Sequence, residues 1–217
     1  MSDARSEILK RVRTALRDVP QQEQPSDVAV ERSYRIRADA SPEQLIAQFV
    51  ERVREYKATV RIVTAPGLPA AIAEACAARG VRRLLGPADM PPDWLPSSVD
   101  VLYDESLTYA QIDASDGVVT ACALGIAQTG TIVLDGGSCQ GRRVLTLLPD
   151  YHLCVVRAEQ IVGLVPEAIA RLAPAVREQQ RPLTFISGPS ATSDIELNRV
   201  EGVHGPRTLE VIVVEPA

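Results

Sequence analysis

The spacing of apolar residues along the chain alternates between a helical period and a strand period. Four apolar residues between positions 6 and 17 recur on one face and predict an amphipathic helix: Ile8, Leu9, Val12 and Leu16. Residues 18–31 hold two prolines and several glutamines but too little apolar material to pack, which predicts a linker. We therefore expect residues 1–31 to form a helix with its linker and residues 32–217 to form one α/β domain.

A clear helix signal opens the folded part of the domain. Ser41 is a good N-cap, a proline follows it, and Gln44 completes a capping box. Residues 60–64 and 81–85 are β-type runs, and the alanine-rich helix between them is expected to end at Gly80. This βαβ spacing predicts a parallel pair of strands joined by a right-handed crossover.

Beyond residue 96 the β-type runs become shorter and are separated by glycine, proline or aspartate. They cover residues 100–103, 117–122, 125–134, 143–148 and 151–157. Their close succession predicts that part of the sheet is antiparallel. Residues 158–172 return to a helical period, and residues 183–186 and 209–214 are further strands. The whole pattern predicts an α/β fold, a three-layer domain with a mixed sheet.

Composition excludes several classes of function. The chain has 217 residues, of which 46% are apolar and 24% charged, as in ordinary globular domains. A net charge of −5 argues against a broad surface for nucleic acid or anionic membranes. No apolar run approaches the roughly 20 residues that span a bilayer. The charged first residues do not resemble a signal peptide, so we expect a cytoplasmic protein.

The cysteines provide no cofactor site. Cys76, Cys122, Cys139 and Cys154 contain no C-x-x-C pair, so an iron–sulfur cluster or zinc site carried by this chain alone is not expected. Cys139 stands in a glycine-rich loop, is predicted to be exposed, and is the thiol whose reactivity is worth testing, although an inert role is favoured. We expect no cofactor and no metal.

The strongest candidate site is a hydroxyl-rich turn at residues 187–196. A strand, a small polar turn and a possible helix start together point backbone N–H groups at a ligand. For Asp194 the favoured role is to cap the start of a helix, whereas Glu196 is a candidate general base. The same pattern also fits a plain capped turn. The candidate ligand-binding residues of this segment are Gly188, Ser190, Thr192 and Asp194.

A second candidate lies at residues 125–131. Glycines that flank amide and hydroxyl groups let a backbone approach an anionic group closely. The candidate ligand-binding residues are Gly125, Thr129, Gly130 and Thr131. On spacing alone, a glycine bulge in a sheet is the favoured interpretation.

The chain has two histidines. His204 stands in a glycine-rich turn where the surrounding backbone can tune its pKa, so it is the second candidate catalytic residue, with a simple hydrogen bond as the competing role. His152 is interpreted as a turn residue, and two histidines so far apart predict no metal site. Arg142 and Arg143 can meet an anion, although a solvated turn is favoured.

Four motifs, taken in order, resemble the lactate utilization protein C family, also called the LUD domain. They are Gly-Ile-Ala-Gln-Thr-Gly-Thr at residues 125–131, Leu-Leu-Pro at 147–149, the hydroxyl-rich turn at 187–196 and Gly-Val-His-Gly-Pro at 202–206. The resemblance covers nearly the whole chain. Gln128 stands where the family pattern is expected to have glutamate, so no catalytic carboxylate is expected there.

The resemblance implies a fold like that of ribose-phosphate isomerases, glucosamine-phosphate deaminases and CoA transferases. It also implies a role in the oxidation of L-lactate to pyruvate, beside iron–sulfur partner subunits. One hypothesis is that this chain is a non-redox subunit of that system, whose glycine-rich loops bind a small carboxylate or the surface of a partner. The alternative is a free-standing enzyme of isomerase or transferase type that acts on a phosphorylated or CoA-linked metabolite, with Glu196 or His204 as acid or base. Whether this chain itself performs catalysis stays open.

Overall fold

A computed structural model describes residues 2–20, 22, 24–27, 29–193, 199–202 and 204–216. Contacts within the chain divide it into two compact units, Met1–Tyr34 and Arg35–Ala217. The first unit contains helix α1 (Ser2–Ala15). Its predicted apolar face is exposed, at Ile8, Leu9, Val12 and Leu16. In the described part of the chain no helix is long and apolar enough to cross a bilayer. The boundary between residues 31 and 32 stays a prediction.

The second unit alternates helices with short strands. In chain order the helices are α2 (Pro42–Glu55), α3 (Leu68–Arg79), α4 (Tyr109–Asp113) and α5 (Val165–Arg177). The strands are β1 (Thr59–Thr64), β2 (Arg83–Pro87), β3 (Asp100–Asp104), β4 (Gly117–Thr120), β5 (Leu124–Ile126), β6 (Thr131–Leu134), β7 (Tyr151–Arg157), β8 (Ile161–Val162), β9 (Thr184–Ile186), β10 (Ala191–Ser193), β11 (Arg199–Glu201) and β12 (Thr208–Glu215).

Two sheets organise this unit. Among the described residues, six strands form a parallel sheet in the order β1-β12-β7-β4-β2-β3. Four more form a smaller sheet in the order β8-β5-β6-β9, in which β6 runs antiparallel to both β5 and β9. The α/β fold with mixed strand directions is confirmed, and the antiparallel pairs lie outside the six-stranded sheet. Its likeness to the isomerase, deaminase and transferase folds stays a prediction.

The prediction that residues 60–64 and 81–85 form a strand pair is wrong. They correspond to β1 and β2, which share the sheet but have β12, β7 and β4 between them. The reason lies in the burial of β7 and β12, which are apolar on both faces and buried along most of their length. Such strands take the middle of a parallel sheet, whereas β1 has one buried residue, Val60, and lies at the edge.

The predicted helix boundaries are confirmed where capping residues set them. The Gln44 N–H donates to Ser41 Oγ at 3.4 Å and the Ser41 N–H donates to Gln44 Oε1 at 2.8 Å, which closes the capping box of α2. Gly80 ends α3 in the left-handed conformation, with φ of 66°. Both ends were predictable because capping depends on a few neighbouring residues.

Two local predictions are wrong. Residues 143–148 form no strand; Arg143–Thr146 is a 3-10 turn, and Leu147 and Leu148 after it are exposed, so the segment offers no face to a sheet. Residues 158–172 are not one helix: 158–160 are a 3-10 turn and 161–162 are strand β8. The α-helix begins only at Val165, because the Glu167 carboxylate accepts the N–H groups of the two residues before Val165.

Cys139 is buried rather than exposed, which corrects the sequence prediction. Its N–H donates to Asp89 Oδ2 at 2.7 Å and its Sγ donates to the Asp89 carbonyl at 3.4 Å. The glycine-rich loop folds inward because Asp135 and Gln140 hydrogen-bond to each other through both backbone and side chain. Composition alone does not reveal such a loop anchor.

Helices and the small sheet cover the two faces of the six-stranded sheet. On one face α3 contributes Leu68 and Ile72 to a core shared with the sheet residue Leu153. On the other face α2 contributes Phe49 and Val53 to a core shared with both sheets. Helix α5 packs on the small sheet through Ala168 and Leu172. The candidate site is built where the small sheet meets the six-stranded one.

Candidate functional site

The two hydroxyl-rich turns predicted from the sequence meet at one edge of the small sheet. Strands β6 and β9 are antiparallel with Ile132 opposite Ile186, so Thr131 and Ser187 come together. Thr131 Oγ1 lies 2.8 Å from Ser187 Oγ and 2.7 Å from Thr129 Oγ1. A chain of three hydroxyl groups thus links segments that are 56 positions apart.

A cavity of about 230 Å³ opens beside Ser187. We call it the histidine cavity, because both histidines of the chain line it. Three of the sequence candidates, Gly188, Ser190 and His204, are in its wall. The other lining residues are Arg143, Thr146, His152, Thr184, Phe185, Ile186, Ser187, Pro189, Gly205, Pro206 and Leu209. The cavity therefore joins the start of β7 and β12 to the turn after β9.

Hydrogen bonds hold the two turns of this wall together. The His204 N–H donates to Ser190 Oγ at 3.0 Å. The Ser190 N–H donates to the Pro206 carbonyl at 2.8 Å, and the Gly202 N–H donates to the Ser190 carbonyl at 3.0 Å. Ser190 and His204 are therefore neighbours, although 14 positions separate them.

His152 is the residue of this cavity that sequence reasoning missed. It lies in β7, is only 1% exposed, and its Nε2 lies 2.8 Å from Thr120 Oγ1 of β4. Burial, assisted by the positive charge of Arg143, lowers its pKa to about 4. The imidazole is therefore neutral near pH 7 and acts as a hydrogen-bonding group rather than as a cation. A base of such low pKa is weak at that pH.

A signal for His152 does exist in the sequence. The four residues after it, 153–156, are all apolar, which is typical of a strand buried on both faces. A polar residue at the start of such a strand is buried with it and needs a partner. The partner itself, Thr120, is visible only once β4 is known to lie beside β7.

Arg143 provides the positive charge of the histidine cavity. Its Nη1 donates to the Thr146 carbonyl at 3.1 Å and to Thr146 Oγ1 at 2.7 Å, which fixes the guanidinium in place. Among the described residues no carboxylate lies within ion-pair distance of it. Partial burial lowers its pKa, but a guanidinium remains charged at neutral pH. By contrast, Arg142 is paired with Asp104 through two bonds of 2.7 and 2.6 Å.

Gly125 and Gly130 face helix α2 rather than the histidine cavity. Residues 125–134 form the hairpin of β5 and β6, not the single run predicted, and Gly130 turns it with φ of 57°. A Cβ on Gly125 would lie 2.9 Å from the Phe49 ring, and one on Gly130 would lie 2.7 Å from the Arg52 backbone. Close packing explains both glycines, and their role in binding a ligand stays a prediction.

The remaining sequence candidates stand apart from the cavity lining. Thr129 and Thr131 do not line the cavity, but Thr131 contacts Ser187, which does. Thr192 lies in β10 opposite Val200 of β11. Asp194 and Glu196 lie outside the described residues, so the proposed catalytic role of Glu196 stays a prediction.

The lining of the histidine cavity suits a small anion. A fixed guanidinium, a neutral imidazole, and the hydroxyls of Ser187 and Ser190 offer hydrogen-bond donors to carboxylate oxygens. Within the described part of the chain no cluster of three or more histidine, cysteine, aspartate or glutamate side chains could hold a metal. The arrangement can bind and orient a carboxylate.

Comparison with known proteins gives consistent matches. Residues 46–214 match the family model of the LUD domain. A protein named lactate utilization protein C from Deinococcus radiodurans is 51% identical over 182 residues, which cover 83% of this chain and 84% of that protein. One of the same name from Shouchella clausii is 32% identical over 114 residues, covering 52% and 49% of the two chains.

A solved structure agrees with these matches. The crystal structure of a DUF162 family protein from Deinococcus radiodurans is 45% identical to this chain and superimposes with a TM-score of 0.71. The alignment covers 81% of this chain and 99% of that one. At this level of identity the two chains share a fold.

Proposed function

The chain belongs to the LUD domain family, and we propose that it is a non-redox component of an L-lactate oxidation system. The observation that carries the proposal is the histidine cavity, in which Arg143 has no carboxylate partner among the described residues and stands beside neutral His152. The relatives named lactate utilization protein C support the choice of pathway.

The proposed ligand of the histidine cavity is lactate or its product pyruvate. The Arg143 guanidinium presents donors in a fork that matches two carboxylate oxygens. The Thr120 contact occupies Nε2 of His152, which leaves Nδ1 for the hydroxyl or keto oxygen of the guest. The cavity, of about 230 Å³, lies below the range typical of drug-sized ligands, roughly 300–1,000 Å³. A three-carbon acid is a suitable guest.

In this proposal the chain supplies binding and orientation, and iron–sulfur partner subunits accept the electrons. Conversion of lactate to pyruvate releases two electrons and two protons, and the electrons pass to the partner clusters. We place this assembly in the cytoplasm. The proposal assigns no covalent step to the chain itself.

The N-terminal helix is the proposed contact with a partner subunit. Residues 1–31 are proposed as a docking segment and residues 32–217 as the ligand-binding domain. Helix α1 presents Ile8, Leu9, Val12 and Leu16 to solvent on one face. Exposed apolar stripes of this kind bind apolar grooves of other proteins.

Reconstitution with the companion subunits tests the function. Lactate-dependent reduction of a dye is measured with the complete chain, without it, and with the Arg143→Gln variant. We expect activity only when the chain is present, and at least a ten-fold rise in the lactate concentration needed for half-maximal rate with Arg143→Gln. Arg177→Gln, at an exposed position of α5, is the matched control. Equal dye reduction with and without the chain would overturn the proposal.

Deletion of residues 1–31 tests the docking segment separately. The shortened chain is expected to lose co-purification with the iron–sulfur subunits while keeping its lactate affinity, measured by calorimetry. Retained co-purification would rule out α1 as the contact.

A further inference from the structure

A second cavity, of about 320 Å³, lies at the carboxyl ends of β4 and β7. Residues 121 and 122, which follow β4, and Arg157, which ends β7, are part of its lining. The crevice outside the carboxyl ends of parallel strands is the usual ligand position in open α/β sheets. His152 is at the other end of β7, about 16 Å away along the strand. The two cavities are therefore separate.

Three arginines line this second cavity, and we call it the arginine cavity. Arg181 lies 3.3 Å from Asp135 Oδ2, an ion pair. Arg157 lies over the Trp94 ring, with 5.6 Å between its Cζ and the ring centroid. Arg171 Nη1 donates to the Glu159 carbonyl at 3.0 Å. In the described part of the chain neither Arg157 nor Arg171 pairs with a carboxylate. Three cations thus face one anion, an excess of two positive charges in a chain whose net charge is −5.

A buried hydrogen-bond network fixes the anionic side of this cavity. Asp135 is buried, and its Oδ1 accepts the Gly137 N–H at 2.9 Å and Gln140 Nε2 at 2.8 Å. The Asp135 N–H donates to Gln140 Oε1 at 2.7 Å. The Asp135 carboxylate is thereby held in one position, which in turn orients Arg181.

Gly137 leaves room for this arrangement. A Cβ at this position would lie 2.8 Å from both Arg181 Nη1 and Asp135 Oδ1. On the opposite side, Gln160 Nε2 donates to the Cys122 carbonyl at 2.7 Å and its Oε1 accepts the Arg157 N–H at 2.9 Å. This side chain ties the end of β7 to the residues after β4. The cavity is thus a built site and not a gap between loose side chains.

We infer that the arginine cavity is a second ligand site, which binds a small metabolite through a phosphate monoester group. A phosphate monoester carries about −1.5 to −2 charges at pH 7, which matches the excess of positive charge. Guanidinium groups bind phosphate oxygens in pairs. Trp94 and the buried side chain of Leu172 provide apolar surface for the remainder of the ligand.

Calorimetric titration of the complete chain tests the inference. The probes are glycerol 3-phosphate and glucose 6-phosphate, with glycerol, glucose and malonate as matched comparisons. We expect the phosphate esters to bind at least ten-fold more tightly than malonate, and the uncharged compounds to give no heat. Malonate is titrated into the Arg143→Gln variant, in which carboxylate binding at the histidine cavity is weakened. Malonate binding to this variant as tightly as the esters would overturn the phosphate assignment, because malonate also carries two negative charges.

Variants locate the binding. The double variant Arg171→Gln/Arg181→Gln is expected to weaken phosphate-ester binding by at least ten-fold. Arg177→Gln lies on the same helix as Arg171 but outside the cavity, and it should leave the affinity unchanged. Equal affinity in the double variant and the unmodified chain would place the ligand elsewhere.

The unmodified chain supplies an independent readout. Trp94 is the only tryptophan of the sequence and lines the arginine cavity, so phosphate esters are expected to change the tryptophan fluorescence, whereas lactate is not. Binding without a fluorescence change would overturn the assignment. Arg143→Gln should weaken lactate binding by at least ten-fold and spare phosphate-ester binding, which separates a failure of this inference from a failure of the proposed function.

Discussion

Thr120 and His152 form a buried hydrogen bond between two neighbouring parallel strands, with 2.8 Å between Thr120 Oγ1 and His152 Nε2. Both residues are at most 1% exposed. A buried imidazole nitrogen needs a hydrogen-bonding partner, and Thr120 meets that need. The pair therefore links the stability of the sheet to the geometry of the histidine cavity.

Removal of the threonine hydroxyl should destabilise the protein. Thr120→Val keeps the shape of the side chain but leaves Nε2 of His152 without its partner, and we expect the free energy of unfolding to fall by about 1–3 kcal/mol. Urea denaturation measures the change. Thr64→Val, at an exposed position of edge strand β1, is the control and should change stability by less than about 0.5 kcal/mol. Equal effects of the two variants would contradict the role given to this bond.

Stability should decrease as the pH falls from about 6.5 towards about 4. The pKa of His152 is lowered from 6.5 to about 4 in the folded chain. Between those two pH values the unfolded chain binds more protons than the folded chain. The contribution of neutral His152 to stability is therefore fully present above the unfolded pKa, and it is lost as the pH falls through the folded pKa. This shift in the pKa of His152 corresponds to a loss of about 3 kcal/mol in the free energy of unfolding.

The His152→Gln variant provides the comparison for this pH dependence. Its free energy of unfolding should vary less over the same range, whatever its absolute value, because glutamine does not titrate. The pKa values of Asp104 and Asp150 are lowered by hydrogen bonds from Arg142 and Arg207, so their contribution to stability is lost only below about pH 4. Parallel pH profiles for the variant and the unmodified chain would refute the assignment to His152.

The buried carboxylate of Glu210 should be needed for stability. It is 1% exposed, and its oxygens lie 2.7 Å from Arg61 Nε and 3.0 Å from Arg79 Nε, while the Tyr151 hydroxyl donates to it at 3.1 Å. We expect Glu210→Leu to lower the free energy of unfolding by about 3–5 kcal/mol, because Arg79 and the Tyr151 hydroxyl lose this partner and Arg61 keeps only the exposed Glu74. Thermal or urea unfolding measures this loss.

An exposed ion pair serves as the control for Glu210. Arg83 and Asp100 lie 3.5 Å apart, with side chains 50% and 67% exposed. Asp100→Asn should change stability by less than about 1 kcal/mol. If Glu210→Leu were equally harmless, the buried network would have no stabilising role.

Gly130 and Gly136 allow conformation to be separated from packing. Both have positive φ, 57° and 65°, but a Cβ on Gly130 meets the Arg52 backbone whereas one on Gly136 meets nothing within 4 Å. Gly136→Ala should destabilise by about 1 kcal/mol from conformation alone. Gly130→Ala should lower the free energy of unfolding by the same conformational amount and by about 1–3 kcal/mol more, because its Cβ overpacks against α2. Similar losses in both variants would show that α2 does not pack tightly on this turn.

Local features were predictable from the sequence. The Ser41 capping box and the Gly80 helix end depend on a few neighbouring residues, and both are present. Most strand segments were also predicted, because runs of β-branched and apolar residues between turn residues identify them. The segment of Arg143 was not, since its apolar run looks like a strand but forms a 3-10 turn in which Val144 and Leu145 pack into a core with Leu85.

The partners of the site residues could not be predicted in this way. His152 was interpreted as a turn residue, although the apolar run after it indicated burial. Arg143 was treated like Arg142, but Asp104 pairs with Arg142 and leaves Arg143 to the histidine cavity. The three arginines of the arginine cavity are spread over 25 positions and share no motif, so the sequence offered no reason to group them.

The amino-acid sequence by itself determined the helix ends, most of the strands, the α/β class and the family, because these depend on residues close together in the chain or on motifs in a set order. Tertiary structure alone decided the strand order, the burial of His152 beside Thr120, and the separation of two cavities at opposite ends of β7. These depend on contacts between segments that are distant in sequence, and such contacts are set by which strands are apolar enough on both faces to occupy the middle of the sheet.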